Sequence, residues 1–489
     1  MSPATDPADL GALEAARELR ARRLSARELL AAVLARTEAR NGGAPTFDGA
    51  LDAVNAWARV YPEEAEAMAR AADDRLAREG EDAPLLCGVP IALKDLYAVA
   101  GLPLTASSRM LEGNVPAEDS VVWARLRAAG MVLVGHAHTH EFAFGGTTDQ
   151  VGNPWDLARS AGGSSGGSAA ALAARMVPAA TGTDTAGSVR IPAAMSGISA
   201  IKPTHGRVPI GGIVPLALTL DHAGPMARSL ADCSALLQAM ADGGADPSPL
   251  MPPPAPLGPL PVEPSPGPRP LAGLTIAVLP GPPRFDLDAD VAAGVEEAAR
   301  ACERLGARVL RVERPEDANL RQWALVATVD FWSFHEQFAD RADAYRPFLR
   351  PIAAAAGDAG PAAAYVRAQE GRAALVSTWE RFMDDEGIDL LLEATIPTPA
   401  PPRTVGYASE LPTPDPHILL TFAWNMTGFP VAALPAGVGA RSGLPVGVSL
   451  IGRRGAEVAV ARAGIDLQEH ALAPPVAPVA RTEAGQATP

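Results

Sequence analysis

The chain is expected to adopt an α/β fold, and two stretches carry that expectation. Residues 119–129 read as a capped helix stopped by Gly130, and the apolar strand 131–134 follows at once. Further on, residues 274–279, 288–305 and 308–312 read as strand, amphipathic helix and strand. That succession implies a right-handed parallel crossover. At 489 residues the chain could form two or three domains or one large α/β unit. A composition of 48% hydrophobic and 20% charged residues suits a globular protein with a sizeable core.

Taken in order, the first 40 residues are helical in pattern. Ser25, Ala26, Arg27 and Glu28 form a capping box, Leu24 and Leu29 are placed as a hydrophobic staple, and Leu29, Leu30, Val33 and Leu34 follow at helical spacing. A second helix is predicted over residues 62–78. Residues 85–94, LLCGVPIALK, form a β-rich run ending in Lys94 and Asp95. A lysine at the end of an apolar strand either escapes to solvent or is buried, where it must be paired or lose its proton. Between residues 247 and 270 twelve of the residues are proline, which predicts a linker or surface excursion. In the amphipathic helix 288–305, Val291, Val295, Ala298, Cys302 and Leu305 form the apolar face. Residues 323–348 hold seven aromatics, with Phe331, Phe334 and Phe338 at helical spacing. They are expected either to pack a helix or to line an apolar pocket. Residues 389–394, 429–434 and 444–450 read as further strands, the last followed by a helix through Glu469, and residues 474–489 as a disordered tail.

The bulk numbers exclude several classes. With 41 basic and 56 acidic residues the net charge is −15, which argues against a nucleic-acid surface. Cys87, Cys233 and Cys302 are too scattered for a disulfide framework or a CxxC metal site. No signal peptide or spanning segment is expected, which predicts a cytoplasmic protein that is not bound to membranes. His136, His138 and His140 would share one face of a strand, but no further ligand cluster lies at metal spacing nearby, and no metal or other cofactor is expected.

The stretch from residue 162 to 188, GGSSGGSAAALAARMVPAATGTDTAGS, brackets serines with glycines at both ends. Glycines this dense serve tight turns or close approaches. Three readings are open. The stretch could be two structural turns around a packed helix. It could cradle an anion at a helix N-terminus, and it faintly resembles the Gly-Leu-Gly-Ser-Ser-Ala loop of galactokinase- and homoserine-kinase-type enzymes. No Gly-Lys-Ser/Thr follows, however, and the basic residues and carboxylates of a phosphate site are not evident. Third, it could be an acyl-transfer site, in which residues 185–188 supply backbone N–H donors. No Gly-x-Ser-x-Gly elbow with a downstream Asp and His appears, so the base must be something else; a lysine is a known variant, with Lys94 the candidate.

At this point the chain resembles the amidase signature hydrolases over roughly residues 60–470. The matching runs are GVPIALKD at 88–95, GGSSGGS at 162–168, GTDTAGSVRIP at 182–192, KPT from Lys202, LDHAGP at 220–225, and GLPVG at 443–447 with LIG at 450–452. The resemblance implies one large domain over residues 61–473, with its motif region at 85–235 and residues 1–60 as a helical segment packed on it. It also implies a central mixed sheet covered by helices on both faces. It further implies a catalytic triad of Lys94 as base, Ser164 as bridging serine after a cis peptide, and Ser188 as nucleophile of an acyl-enzyme. Thr185, Ala186, Gly187 and Ser188 would form the oxyanion hole, braced by Gly163, Ser165, Asp184 and Arg190. Phe142, Phe144, Gly145, Gly146, Thr147, Ile191 and Trp332 are expected at the substrate.

Several features depart from the family pattern. Ala186 replaces a commoner glycine, His205 a frequent tyrosine, and Glu393 a small or hydroxyl residue; the histidine run 136–140 also differs from the usual sequence. Ile191 stands where the glutamine-dependent tRNA amidotransferase A subunit has Gln. With the aromatic cluster, this favours a stand-alone hydrolase of a small hydrophobic or aryl linear amide, with carbamates, esters or cyclic amides as alternatives. The partners implied are the small-molecule substrate and water, and a homodimer is left open.

Overall fold

The computed structural model describes residues 6–241, 244, 254–281, 286–315, 319–358, 362–403 and 415–480. The strands are β1 (Trp57–Val60), β2 (Pro90–Lys94), β3 (Val132–Ala137), β4 (Gly152–Asn153), β5 (Asp156–Ser160), β6 (Ala179–Asp184), β7 (Ser199–Lys202), β8 (His222–Ala227), β9 (Thr275–Val278), β10 (Arg308–Arg311), β11 (Leu390–Ala394), β12 (Val431–Val438) and β13 (Pro445–Ile451). Eleven of them form one mixed sheet in the order β1-β3-β2-β6-β8-β7-β12-β13-β11-β9-β10, and β4 and β5 pair separately. The sheet is flanked by helices, as an α/β chain with buried strands requires. The helices are α1 (Ala12–Arg20), α2 (Ala26–Arg40), α3 (Pro62–Glu79), α4 (Val121–Ala128), α5 (Gly166–Ala173), α6 (Arg190–Ser196), α7 (Leu230–Ala241), α8 (Ala289–Arg304), α9 (Leu320–His335), α10 (Leu349–Ala356), α11 (Ala362–Asp385), α12 (Phe422–Thr427) and α13 (Glu457–His470).

Local signals are realised closely. Ser25 caps α2 and Glu28 returns to the Ser25 N–H, completing the capping box. Ser120, one residue after the expected start, caps α4. The β9–α8–β10 unit pairs its two strands in parallel, as a right-handed crossover requires. The amphipathic face of α8 buries Val291, Val295, Ala298 and Cys302. Residues 254–270 contain no helix or strand, though Pro261 O accepts from the buried Ser234 Oγ; residues 247–253 of the proline-rich run lie outside the described residues. β1 pairs antiparallel with β3 and so continues the sheet within the first 60 residues. Of the expected tail, residues 474–480 carry a short 3-10 turn at Pro478–Ala480, with Ala477 buried and Val479 N donating to Pro154 O. The rest of the tail lies outside the described residues. Among the described residues no helix is long and apolar enough to cross a membrane.

The sheet order positions the site. β2 lies between β3 and β6, parallel to both, so the ends of β2 and β6 carry Lys94 and Asp184 to the same edge. Helix α5 is built from glycine, serine, alanine and one leucine, all buried. Side chains this small let it sit close to the sheet and hold the loop before it against the end of β6.

Candidate active site

Lys94 is fully buried at the end of β2. Its Nζ donates to Ser164 Oγ at 2.7 Å and to Thr183 Oγ1 at 2.8 Å. Burial pulls its pKa down to about 7, against the opposing pull of the Asp221 and Asp184 carboxylates. It therefore does not escape to solvent at the strand end. It is a desolvated amine on hydroxyl partners, which is what a proton acceptor needs.

The loop at residues 162–165 folds over this lysine. The Gly163–Ser164 peptide is cis. Gly163 is pressed on the Thr147 backbone so closely that a Cβ would lie 2.4 Å from the Thr147 carbonyl carbon. Ser164 O accepts from His140 N at 2.9 Å and from Thr148 Oγ1 at 3.2 Å. Ser165 N donates to Ser188 O at 3.3 Å, and Ser165 Oγ donates to Thr183 O at 3.4 Å. These bonds tie the two serine-bearing segments together.

After β6 the chain turns through residues 185–189 into α6. Asp184 and Arg190, both fully buried, clasp this turn. Arg190 donates to both carboxylate oxygens of Asp184, at 2.9 and 2.8 Å, and also to Thr421 O and Asn425 Oδ1. Burial alone pushes the Asp184 carboxyl up, but the charge and hydrogen bonds of Arg190 outweigh it and hold the group at about 2. The pair is therefore charged and paired, the condition under which buried ions persist. Asp184 also accepts from Gly187 N at 2.8 Å and from Val189 N at 3.2 Å.

The Gly187 contact corrects one expectation. The Gly187 N–H is already held by Asp184, so it is not an oxyanion donor. Among the described residues the Thr185, Ala186 and Ser188 N–H groups have no protein acceptor. Gly187 serves the turn by its backbone instead. Its φ is +133°, and a Cβ there would meet Thr421 Oγ1 at 2.5 Å. Ala186 does not take a positive φ, so its methyl replaces a glycine without backbone strain.

A cavity of about 430 Å³ opens over Ser188. Of the residues expected at the substrate, Phe144, Gly145, Gly146 and Thr147 line it. Three others do not. Phe142 is buried among Phe334, His335, Phe338 and Tyr345. Ile191 lies in the core beneath Gly187. Trp332, on α9, packs at the edge of the core near Gly357. On α9 the lining residues are Trp323, Ala324, Ala327 and Thr328; Phe331, a turn further along the same face, lies past the lining and packs on Phe144 and His335, while Trp332 turns off that face. The aromatic cluster thus divides, with Trp323 and Phe348 on the cavity and Phe331, Phe338 and Tyr345 in the core.

The departures from the family pattern also divide. His140 lines the cavity. His136 bonds to Tyr61 Oη and Tyr97 O, and His138 to Ser107 Oγ and Thr46 O. Glu393 is buried away from the cavity, held by Arg314 and the Trp424 indole. His205 packs edge-on against His222. Among the described residues no His, Cys, Asp and Glu group is arranged to hold a metal.

Several residues at the site escaped sequence reasoning. Thr183 and Asp221 stand inside the motif runs without a role. Asp221 accepts from Thr185 Oγ1 and from the Leu216 and Ala217 N–H groups, and burial pushes its carboxyl up to about 6. Thr421 Oγ1 donates to Ala186 O. Leu216, Leu320, Arg321, Ile352, Asp415 and Ile418 complete the cavity wall. No local pattern marks them.

Comparison with known proteins agrees with this fold. The amidase family model matches residues 47–461. The chain is 35% identical to the glutamyl-tRNA(Gln) amidotransferase A subunit of Anaeromyxobacter dehalogenans (strain 2CP-C), over 98% of this chain and 99% of that protein. Among solved structures, one from a vestigial protein complex that reveals the evolutionary origins of an s-triazine catabolic enzyme superposes with a TM-score of 0.82 at 32% identity, covering 95% of this chain and 99% of that one. The substrate complex of 6-aminohexanoate cyclic dimer hydrolase superposes with a TM-score of 0.80 at 27% identity, covering 98% and 100%. Together these define the class: an enzyme of amide C–N bonds, either hydrolase or amidotransferase. The chain belongs to the amidase family, the family of the amidase signature.

Proposed function

We propose that the chain is a serine-dependent hydrolase of small hydrophobic or aryl amides, working through an acyl-enzyme. The observation that carries this reading is the desolvated Lys94 amine on Ser164 Oγ, below an apolar cavity that contains Ser188. Neutral Lys94 takes the Ser164 hydroxyl proton as Ser164 takes that of Ser188. The Ser188 Oγ attacks the substrate carbonyl carbon, and the carbonyl oxygen, now an anion, is held by backbone N–H groups of the 185–188 turn. Return of the proton through Ser164 lets the C–N bond break and the amine leave. Water, deprotonated by the same relay, then releases the carboxylic acid and restores Ser188.

The base must be neutral to act, which gives the pH dependence its sign. Lys94 binds its proton below about pH 7, so kcat/KM rises with pH through that value and levels off above it. A rate profile from pH 5 to 9 checks this, and a falling limb there would contradict the base assignment.

Substrate choice rests on the walls. Leu216, Trp323, Phe348, Ile352 and Ile418 present apolar surface, which favours an aryl or alkyl group. The Asp415 carboxylate in the wall is taken up by His417, at 2.9 Å from its N and 2.8 Å from its Nδ1. Ile191 bears on this choice only indirectly, from beneath the turn.

The second reading, an ammonia-producing component of a tRNA amidotransferase, is favoured by the 35% identity along nearly the whole chain. A screen of the purified chain alone separates the two. Aryl amides are expected to be hydrolysed, carbamates, esters and cyclic amides are assayed beside them, and glutamine is expected to be left intact. Glutamine turnover that appears only with a partner protein would establish the second reading instead.

A further inference from the structure

The turn of residues 185–187 is gripped from outside its own motif. The Trp323 indole N–H donates to Thr185 O at 3.3 Å, Thr421 Oγ1 donates to Ala186 O, and Asp221 accepts from Thr185 Oγ1. In a planar trans peptide the C=O and N–H point in opposite directions. The Thr421 bond to Ala186 O therefore sends the Gly187 N–H the other way, where it meets Asp184 Oδ1 at 2.8 Å. By the same geometry, the Trp323 bond to Thr185 O sets the direction of the Ala186 N–H. That N–H has no protein acceptor among the described residues, and Ala186 lines the cavity beside Ser188.

Trp323 also lines this cavity, with Leu320, Ala324 and Ala327 of the same helix. Its ring packs edge-on against Phe422, at 6.2 Å between centroids, and Phe422 directly follows Thr421. One side chain is thus both a wall of the substrate space and a hydrogen-bond donor to the turn.

We propose that Trp323 is a positioning residue for acyl transfer: its indole N–H fixes the Thr185–Ala186 peptide plane, so that the Ala186 N–H is aimed before the substrate carbonyl arrives. The proposal rests on Ser188 being the nucleophile. A donor oriented in advance stabilises the developing oxyanion without reorganising during the reaction, and that advantage appears in the transition state more than in substrate binding.

The test uses the full chain with Trp323→Phe and Trp323→His, an aryl amide from the screen, and a boronic acid bearing the same aryl group. The boronic acid adds to a serine hydroxyl as a tetrahedral adduct. Phenylalanine keeps an aromatic wall but lacks the N–H. Direct loss of an oxyanion donor costs about 10²–10³-fold in kcat, and loss of its orientation is expected to cost about 10- to 100-fold. KM should stay within about threefold, and boronate affinity should fall in step with kcat/KM. Histidine, with a ring N–H, should recover part of kcat. Each variant is read by the same split between kcat and KM, so either decides alone if the other folds poorly.

Unchanged kcat with a raised KM in Trp323→Phe would show a mere wall and overturn the proposal, as would a histidine variant no faster than the phenylalanine one. Ser188→Ala is assayed alongside. Hydrolysis surviving there would overturn the nucleophile assignment, an outcome distinct from failure of the Trp323 proposal.

Discussion

Ser188→Ala is expected to lower amide hydrolysis by at least about 10⁴-fold, because it removes the proposed nucleophile while leaving the rest of the site in place. The change deletes one oxygen from a residue that is 6% exposed. The Ser188 backbone O still accepts from Ser165 N, so the tie between the two serine segments survives. Thermal stability should be unaltered and substrate binding nearly so, and the loss should fall on kcat. A wild-type protein quenched during turnover should show an acyl adduct by mass spectrometry, and the variant should show none. Turnover above about one per cent of wild type would remove Ser188 from the mechanism.

Lys94→Ala should lower kcat about 10²- to 10⁴-fold, the range that a positioned proton acceptor contributes. Its loss has a second effect, because Ser164 Oγ and Thr183 Oγ1 both lose their buried partner. A buried polar group left unsatisfied costs about 1–3 kcal/mol, and the deleted side chain leaves a cavity besides. Lys94→Ala is therefore expected to melt earlier as well as turn over slowly. Lys94→Met separates these effects by filling the space without supplying a base. It should stay folded with a residual rate as low as that of Lys94→Ala, and the rise of that residual rate through pH 7 should vanish with the amine. Full activity in purified Lys94→Ala would overturn the assignment of Lys94 as base.

Much of the site was legible because its chemistry is local. Glycine pairs around Ser164 and a glycine before Ser188 signal turns, and Lys94 stands out as a charge ending an apolar strand. The pocket was less legible. Phe142 looked like a pocket residue because it precedes Gly145 and Gly146, but its ring turns into the cluster around His335. Gly187 looked like an oxyanion donor because it sits between Ala186 and Ser188, yet the direction of its N–H is set by Asp184 and Thr421.

The sequence by itself determined the class of fold and the family, and it marked the candidate reactive residues, since strand–helix rhythm, small-residue turns and motif runs are all properties of neighbouring residues. The tertiary structure alone decided how those groups converge. Lys94 meets Ser164 and Thr183 because β2 and β6 are parallel neighbours in the sheet. Trp323 and Thr421 reach the turn from 138 and 235 residues away along the chain. A periodic pattern tells which face of a helix is apolar, but not whether that face meets the core or a cavity. That choice is made by packing, and so the walls that select a substrate appear only when the chain is folded.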